Sequence, residues 1–207
     1  MAIASLSKFG VPSAEGSGQT LLMPKLKYRF RVTFTNFGVG NNTYELTKQV
    51  MTAGRPAVSF ENVELSVYNS KINYAGRHTW ADVQIVLRDD MEGKVSRLVG
   101  EQIQKQFDFL EQSSASSAND YKFRTDIEIL DGGNGTGAHT PKILERFIMT
   151  GCYLQNTQYQ QADYKSSDPL DITLTLKYDN AVQDDGNDNE LGIGSAIAQT
   201  ITAVALR

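Results

Sequence analysis

The sequence predicts a mainly β protein, an antiparallel β-sandwich or barrel of six to seven strands with one packed α-helix at about residues 92–112. Three observations lead there. Several segments alternate apolar and polar side chains with a period of two, so each buries one face. A single stretch carries apolar residues at helical spacing. Strands and helices do not take turns along the chain, which argues against a parallel, doubly wound sheet. The 56 Ser, Thr, Asn and Gln outnumber the 44 Asp, Glu, Lys and Arg, which leans towards a β-rich surface with many turns.

The first 24 residues are rich in Ser, Gly and Ala without a sustained period and read as a flexible arm. From Lys25 to Thr35, Leu26, Tyr28, Phe30, Val32 and Phe34 alternate with Lys25, Lys27, Arg29, Arg31 and Thr33, which predicts a strand with one basic face. Gly38, Gly40, Asn41 and Asn42 give a turn, and Tyr44–Ala53 then reads as a second strand forming a hairpin with the first. Residues 54–62 read as an extended loop. Val63–Tyr68 and Lys71–Tyr74 are strands around Asn69 and Ser70, and Thr79–Arg88 resumes the alternation through Val83, Ile85 and Leu87. The period then changes. Val95, Leu98, Val99, Ile103, Phe107 and Leu110 lie on one helical stripe, Asp89 and Glu92 have capping-box spacing, and Ser113–Ser117 ends the helix. Tyr121–Leu130, Ile143–Tyr153 and Ile172–Tyr178 complete the strands. A core domain over 25–180 is expected between the arm at 1–24 and an acidic linker and C-terminal arm at 181–207.

Composition removes several function classes. Cys152 alone cannot form an intramolecular disulfide, and one cysteine with two histidines is too few for a zinc site built on those ligands. The stretch Leu191–Leu206 is interrupted by polar residues and shorter than the roughly 20 a spanning helix needs; with no secretory-type apolar core at the N-terminus, an unsecreted, soluble chain without a membrane partner is expected. The net charge is −4, and the acidity sits in the last fifth, where Asp163–Arg207 holds eight acidic and three basic residues. No basic excess is available to neutralise phosphates, so tight nucleic-acid binding is disfavoured.

No motif reaches an enzyme signature. The Gly-rich segment Asp131–Gly137 lacks a following Lys-Ser/Thr and a helix start, so a long hairpin loop is the better reading than a phosphate cradle. Asp184–Glu190 resembles half a calcium loop, but Glu190 stands where the turn needs Gly and Ala196 where the bidentate Glu belongs. His78 and His139 have no Ser or Cys partner in a nucleophile motif. Cys152 reads as a small buried residue, Trp80 as a core anchor, and Asp89 and Asp90 as charges at a helix N-terminus. Catalytic residues, cofactors and metals are therefore all expected to be none.

One segment carries a family resemblance. Lys71, Ile72, Asn73, Ala75, Gly76, Arg77, Thr79, Trp80 and Asp82, leading into Val83–Leu87 and an acidic turn, resemble the central motif of the tail tube proteins of contractile-tailed, T4-like phages. Gly151-Cys-Tyr153 is similar to that family's Gly-x-aromatic turn, and Ile172–Tyr178 to its closing strand; Leu154 departs from the Pro the family often has there. The resemblance covers about residues 25–180 and implies a tail tube fold. It further implies a non-catalytic virion protein, assembled in the host cytoplasm, whose hexameric rings stack into a tube that conducts DNA from capsid to host after sheath contraction. Its partners would be itself, the sheath, tape measure, baseplate and tail terminator proteins, with DNA only in transit. The inner tube of a tailocin or contractile injection system is the alternative, and a monomeric ligand-binding β-sandwich a more distant one. Under the tube reading, Asp82, Asp126 and Glu128 are candidates for the lumen. Arg55, Glu61 and Asn62, in the 54–62 loop, are candidates for ring stacking, and Lys71, Asn73 and Arg77 for contacts between subunits or rings.

Overall fold

The computed structural model describes residues 24–39, 43–133, 140–185 and 192–194. It is mainly antiparallel β, as the alternation requires. One seven-stranded sheet dominates. Its path runs β1 (Phe30–Thr35), β8 (Phe123–Leu130), β9 (Ile143–Tyr159), β10 (Asp171–Lys177), β5 (Val83–Arg88) and β2 (Val50–Ala53), with β11 (Asn180–Asp184) paired to β9. Two strands, β3 (Val58–Val67) and β4 (Ser70–Trp80), form a separate hairpin, and β6 (Phe107–Asp108) with β7 (Ser113–Ser114) a short ladder.

The long strand β9 makes this sheet a sandwich. Its first half pairs with β8 and β11, its second with β10. Gly151 marks the change with φ +68, and Asp179 Oδ2 lies 2.1 Å from where a Cβ would stand, so only glycine fits the bend. The Gly151–Tyr153 segment is thus a bend inside one strand, in place of the expected turn. The two half-sheets bury one continuous core, including Val32, Phe34, Ile85, Leu87, Ile127, Met149, Ile172, Leu174 and Leu176. Phe123 stands edge-on to Phe37, with centroids 4.9 Å apart. Trp80 and Cys152 are buried, as expected.

Helix α2 (Lys94–Gln106) packs Val95 and Val99 against the core and buries Gln102 completely. It is shorter than expected at both ends. Gly93 is the N-cap, at φ +67. The Asp90 carboxylate accepts the Val95 N–H at 3.1 Å while Asp89 accepts from Asp90 N–H, so the expected Asp89/Glu92 box does not form. Phe107 turns extended and Leu110 is exposed, because Asp108 accepts the Leu110 and Glu111 N–H groups and folds the chain into the β6–β7 ladder. The helix's last residue reaches the sheet: Gln106 accepts the Leu154 N–H at 2.8 Å and donates to its carbonyl at 3.0 Å. A proline at 154 would lack that N–H.

The expected pairing of Lys25–Thr35 with Tyr44–Ala53 is not made. β1 pairs with β8 and β2 with β5. Tyr44–Gln49 is a six-residue helix, α1, because Thr43 donates its hydroxyl to the Phe34 carbonyl and Leu46 fills the core. Lys25–Arg29 turns instead of extending, with Tyr28 exposed. A one-turn helix, α3 (Ala118–Tyr121), precedes β8 with a Ser117/Asp120 capping box. The sheet continues past residue 180 to Asp184, with Ala181 buried, so β11 extends it into the stretch expected to be linker. Residues 1–23 of the expected arm, Gly40, Asn41 and Asn42 of the expected turn, most of the Gly-rich and half-calcium-loop segments, His139, and 195–207 lie outside the described residues.

Candidate functional site

Residues 54–62, expected as an extended loop, enter a hairpin at Val58. It grows out of the β2/β5 pair, where Gly54 N–H donates to the Gln84 carbonyl at 2.8 Å and Ala81 N–H to the Ala57 carbonyl at 2.9 Å. Trp80 anchors the root. An aromatic run joins Phe60, His78, Trp80 and Tyr178 at centroid spacings of 6.5, 6.0 and 5.6 Å. Beyond the root the hairpin stands clear of the sandwich and turns at Tyr68-Asn69. Gly76 is required by close strand approach, since a Cβ there would lie 3.0 Å from both the Glu61 carbonyl and the Val63 side chain.

Register sorts the hairpin into two faces. Val63 pairs with Tyr74, Leu65 with Ile72 and Val67 with Ser70, so these side chains share one face. Its five large apolar groups are each between 43% and 53% exposed. Asn62, Glu64, Ser66, Lys71 and Asn73 share the other, where Asn62 donates to Asn73 at 3.1 Å and Lys71 pairs with Glu64. A two-stranded ribbon is marginal alone in water, and bare apolar surface of this kind marks a contact.

The candidate contact residues converge here. Glu61, Asn62, Lys71, Asn73 and Arg77 lie on the hairpin and Arg55 in its root. The apolar face itself, Val63, Leu65, Ile72 and Tyr74, was not singled out, although its alternation was visible. The lumen candidates divide between the half-sheets. Asp82 follows β4 and takes Lys177 Nζ at 2.6 Å. Asp126 and Glu128 lie on β8 in the other half. Arg124 grips Asp126 at 2.7 and 2.9 Å, which raises the guanidinium's pKa. Glu128 is buried and accepts from Arg31 at 2.5 Å. Arg31, Glu128, Arg146 and Asp184 are cross-strand neighbours in one row of alternating charge.

The exposed face of the Asp82 half is different. Across its strands Gln84, Thr175 and Asn156 form one row, and Val86, Thr173 and Gln158 the next. These rows are uncharged. Burial pushes the Cys152 thiol up to about 11, out of nucleophile range. Among the described residues no group of three His, Cys, Asp or Glu could hold a metal, and no helix is long and apolar enough to cross a membrane.

No family model and no curated protein matches the sequence. Solved structures do resemble the fold. A chain in the anti-feeding prophage cap, which terminates that particle's tube, superposes with a TM-score of 0.60 at 12% identity, covering 84% of this chain and 99% of that one. A chain in the sheath/tube terminator of the PVC extracellular contractile injection system gives 0.57 at 14% identity, covering 79% and 99%. One from that system's extended sheath–tube complex gives 0.54 at 11%, covering 78% and 92%. The chain has the fold of these proteins.

Proposed function

We propose that this protein is a structural tube subunit of a contractile tail, whose hexameric rings stack into a hollow conduit for DNA. The observation that carries the reading is the projecting hairpin. Its bare apolar face needs a cover that the described residues do not supply, and burying the remaining half of five such side chains is worth on the order of 5 kcal/mol per hairpin. The fold shared with chains of the injection-system particles supports the same assignment. The sheath, tape measure, baseplate and tail terminator are the other partners, the location is the virion tail, and assembly takes place in the host cytoplasm. The protein performs no catalysis.

In this reading the conduit wall is the exposed face of the half-sheet from which the hairpin grows. Its Gln, Thr and Asn rows offer weak, exchangeable hydrogen bonds, and its Asp82 is neutralised by Lys177, so a polyanion passes without being trapped. Asp126 and Glu128, in the other half-sheet, would then share the wall only if the ring exposes both halves to the lumen. The resemblance to extracellular injection particles favours one alternative, an inner tube whose cargo is protein; phage capsid and terminase genes beside this one would decide for DNA.

Electron microscopy of the purified chain tests the assignment. Rings or tubes are expected. Leu65→Asp with Ile72→Asp should abolish them while leaving the melting temperature within a few degrees, because both side chains are exposed in the monomer. Assembly that survives this change would contradict the reading.

A further inference from the structure

The turning segment Lys25–Tyr28, just before β1, forms one side of a groove of about 690 Å³. Phe30, Met51, Ile127 and Ile129 give the groove an apolar floor. The segment is held differently at its two ends. Beyond Tyr28 it is pinned: the Arg29 carbonyl accepts the Leu130 N–H at 2.9 Å, and the Arg29 guanidinium donates to the Asp131 carbonyl at 2.7 Å. At Lys25 it is tied by one ion pair, with Nζ 2.5 Å from the Glu145 carboxylate. Among the described residues this is the one polar side-chain bond that Lys25–Tyr28 makes. Glu145 is buried and stands opposite Ile129 across the β8–β9 ladder, so it ends the row Phe30, Ile129, Glu145 beside the groove floor.

The other oxygen of the same carboxylate holds the far end of the chain. Gln183 of β11 donates its side-chain amide to Glu145 Oε1 at 2.5 Å, and its N–H donates to the Ile193 carbonyl at 2.9 Å. Gly192 passes close over that amide, whose Oε1 lies 2.8 Å from where a Cβ would stand. We propose that Lys25–Tyr28 is a strap along the groove, hinged at Arg29 and latched at Glu145, and that the latch couples the strap to the Gly192–Gly194 segment. The coupling follows from burial. A carboxylate that loses its cation is an unpaired buried charge, so it turns towards water and leaves the Gln183 amide without its acceptor. Loss of the Gln183 bond in turn frees the carboxylate to draw Lys25 out. Loosening either end therefore loosens the other and bares the groove floor. This device goes beyond the tube-subunit reading and holds whether or not the chain assembles.

Hydrogen exchange in the full chain tests the coupling. Two amides report on it: Arg29 N–H, bonded to the Leu26 carbonyl at 3.2 Å within the turn, and Gln183 N–H at the other end. Lys25→Met should speed exchange at Gln183 about fivefold or more, and Gln183→Met should do the same at Arg29, while the amides of β10 keep their rates. Lys25→Arg, which keeps the ion pair, should leave both reporters slow. A second measurement reads the groove itself. Ile129→Cys, labelled by a thiol reagent while Cys152 stays buried, should react faster when combined with Lys25→Met and when combined with Gln183→Met. Faster exchange confined to the mutated end overturns the coupling, as does an increase that spreads equally to β10. Labelling of Ile129→Cys that neither change alters overturns the strap.

Discussion

Gln102 shows how a single polar side chain can hold three elements together. Its amide, fully buried, accepts the Gly38 N–H at 2.9 Å and donates to the Tyr121 carbonyl at 2.6 Å, fixing α2 to the loop after β1 and to the end of α3. Gln102→Leu keeps the bulk but leaves both backbone groups unpaired, so chemical denaturation should report a loss of about 2 kcal/mol. Cys152 gives a second expectation. Desolvation raises its thiol from 9.0 to about 11, so the folded state holds the proton more tightly than the unfolded chain. Stability is therefore fullest below the free thiol's pKa and falls as pH climbs through 9 towards 11. A thiol reagent at neutral pH should leave the native protein unmodified and label it only after unfolding; rapid native labelling would contradict the burial. Cys152 reads as a packing residue in the sequence because it stands in a strand between Gly151 and Tyr153. It gave no sign of Gln102, whose place on the Val95–Val99 stripe is visible only once that stripe is known to be packed.

Elements were legible where the period was long and clean. The strand at Phe123–Leu130, the closing strand Asp171–Lys177 and the body of α2 all follow from alternation or helical spacing alone. Short or mixed segments were not. Tyr44–Gln49 fits a strand pattern, yet Thr43 and Leu46 close it into a helical turn, and a cation–π contact of 4.4 Å between Lys48 and Tyr44 adds support. The end of β9, Gln155–Tyr159, is rich in Gln and Asn and shows no clean apolar alternation, although it pairs with β10. The hairpin shows the reverse case: its apolar residues alternate but stay exposed, since it projects beyond the sandwich core. That separates element from monomer stability. Deleting Asn62–Ala75 with a short turn should leave the fold cooperative and abolish assembly, read by calorimetry and by light scattering. Loss of the thermal transition would make the hairpin part of the core instead.

For the whole molecule, the net charge of −4 resolves into geometry. One half-sheet carries a row of alternating charges that neutralise one another, and the other two uncharged rows between the opposed charges of Arg88 with Asp171 and of Lys177 with Asp82, so neither offers a basic track for phosphate. The fold class was legible in the sequence, and the motif around Lys71–Asp82 lies mainly on the projecting hairpin. The division of the polar strand faces between two half-sheets was not legible, because it depends on the bend at Gly151. Under the proposed tube reading, the open sheet and the projecting amphipathic hairpin are the surfaces that assembly would cover. The most direct test is cryo-electron microscopy of the purified full chain at ring resolution. Six-membered, stacking rings are expected, with the face of Val63, Leu65, Ile72 and Tyr74 buried between copies. A monodisperse monomer under all conditions, with that face still in water, would contradict the assignment.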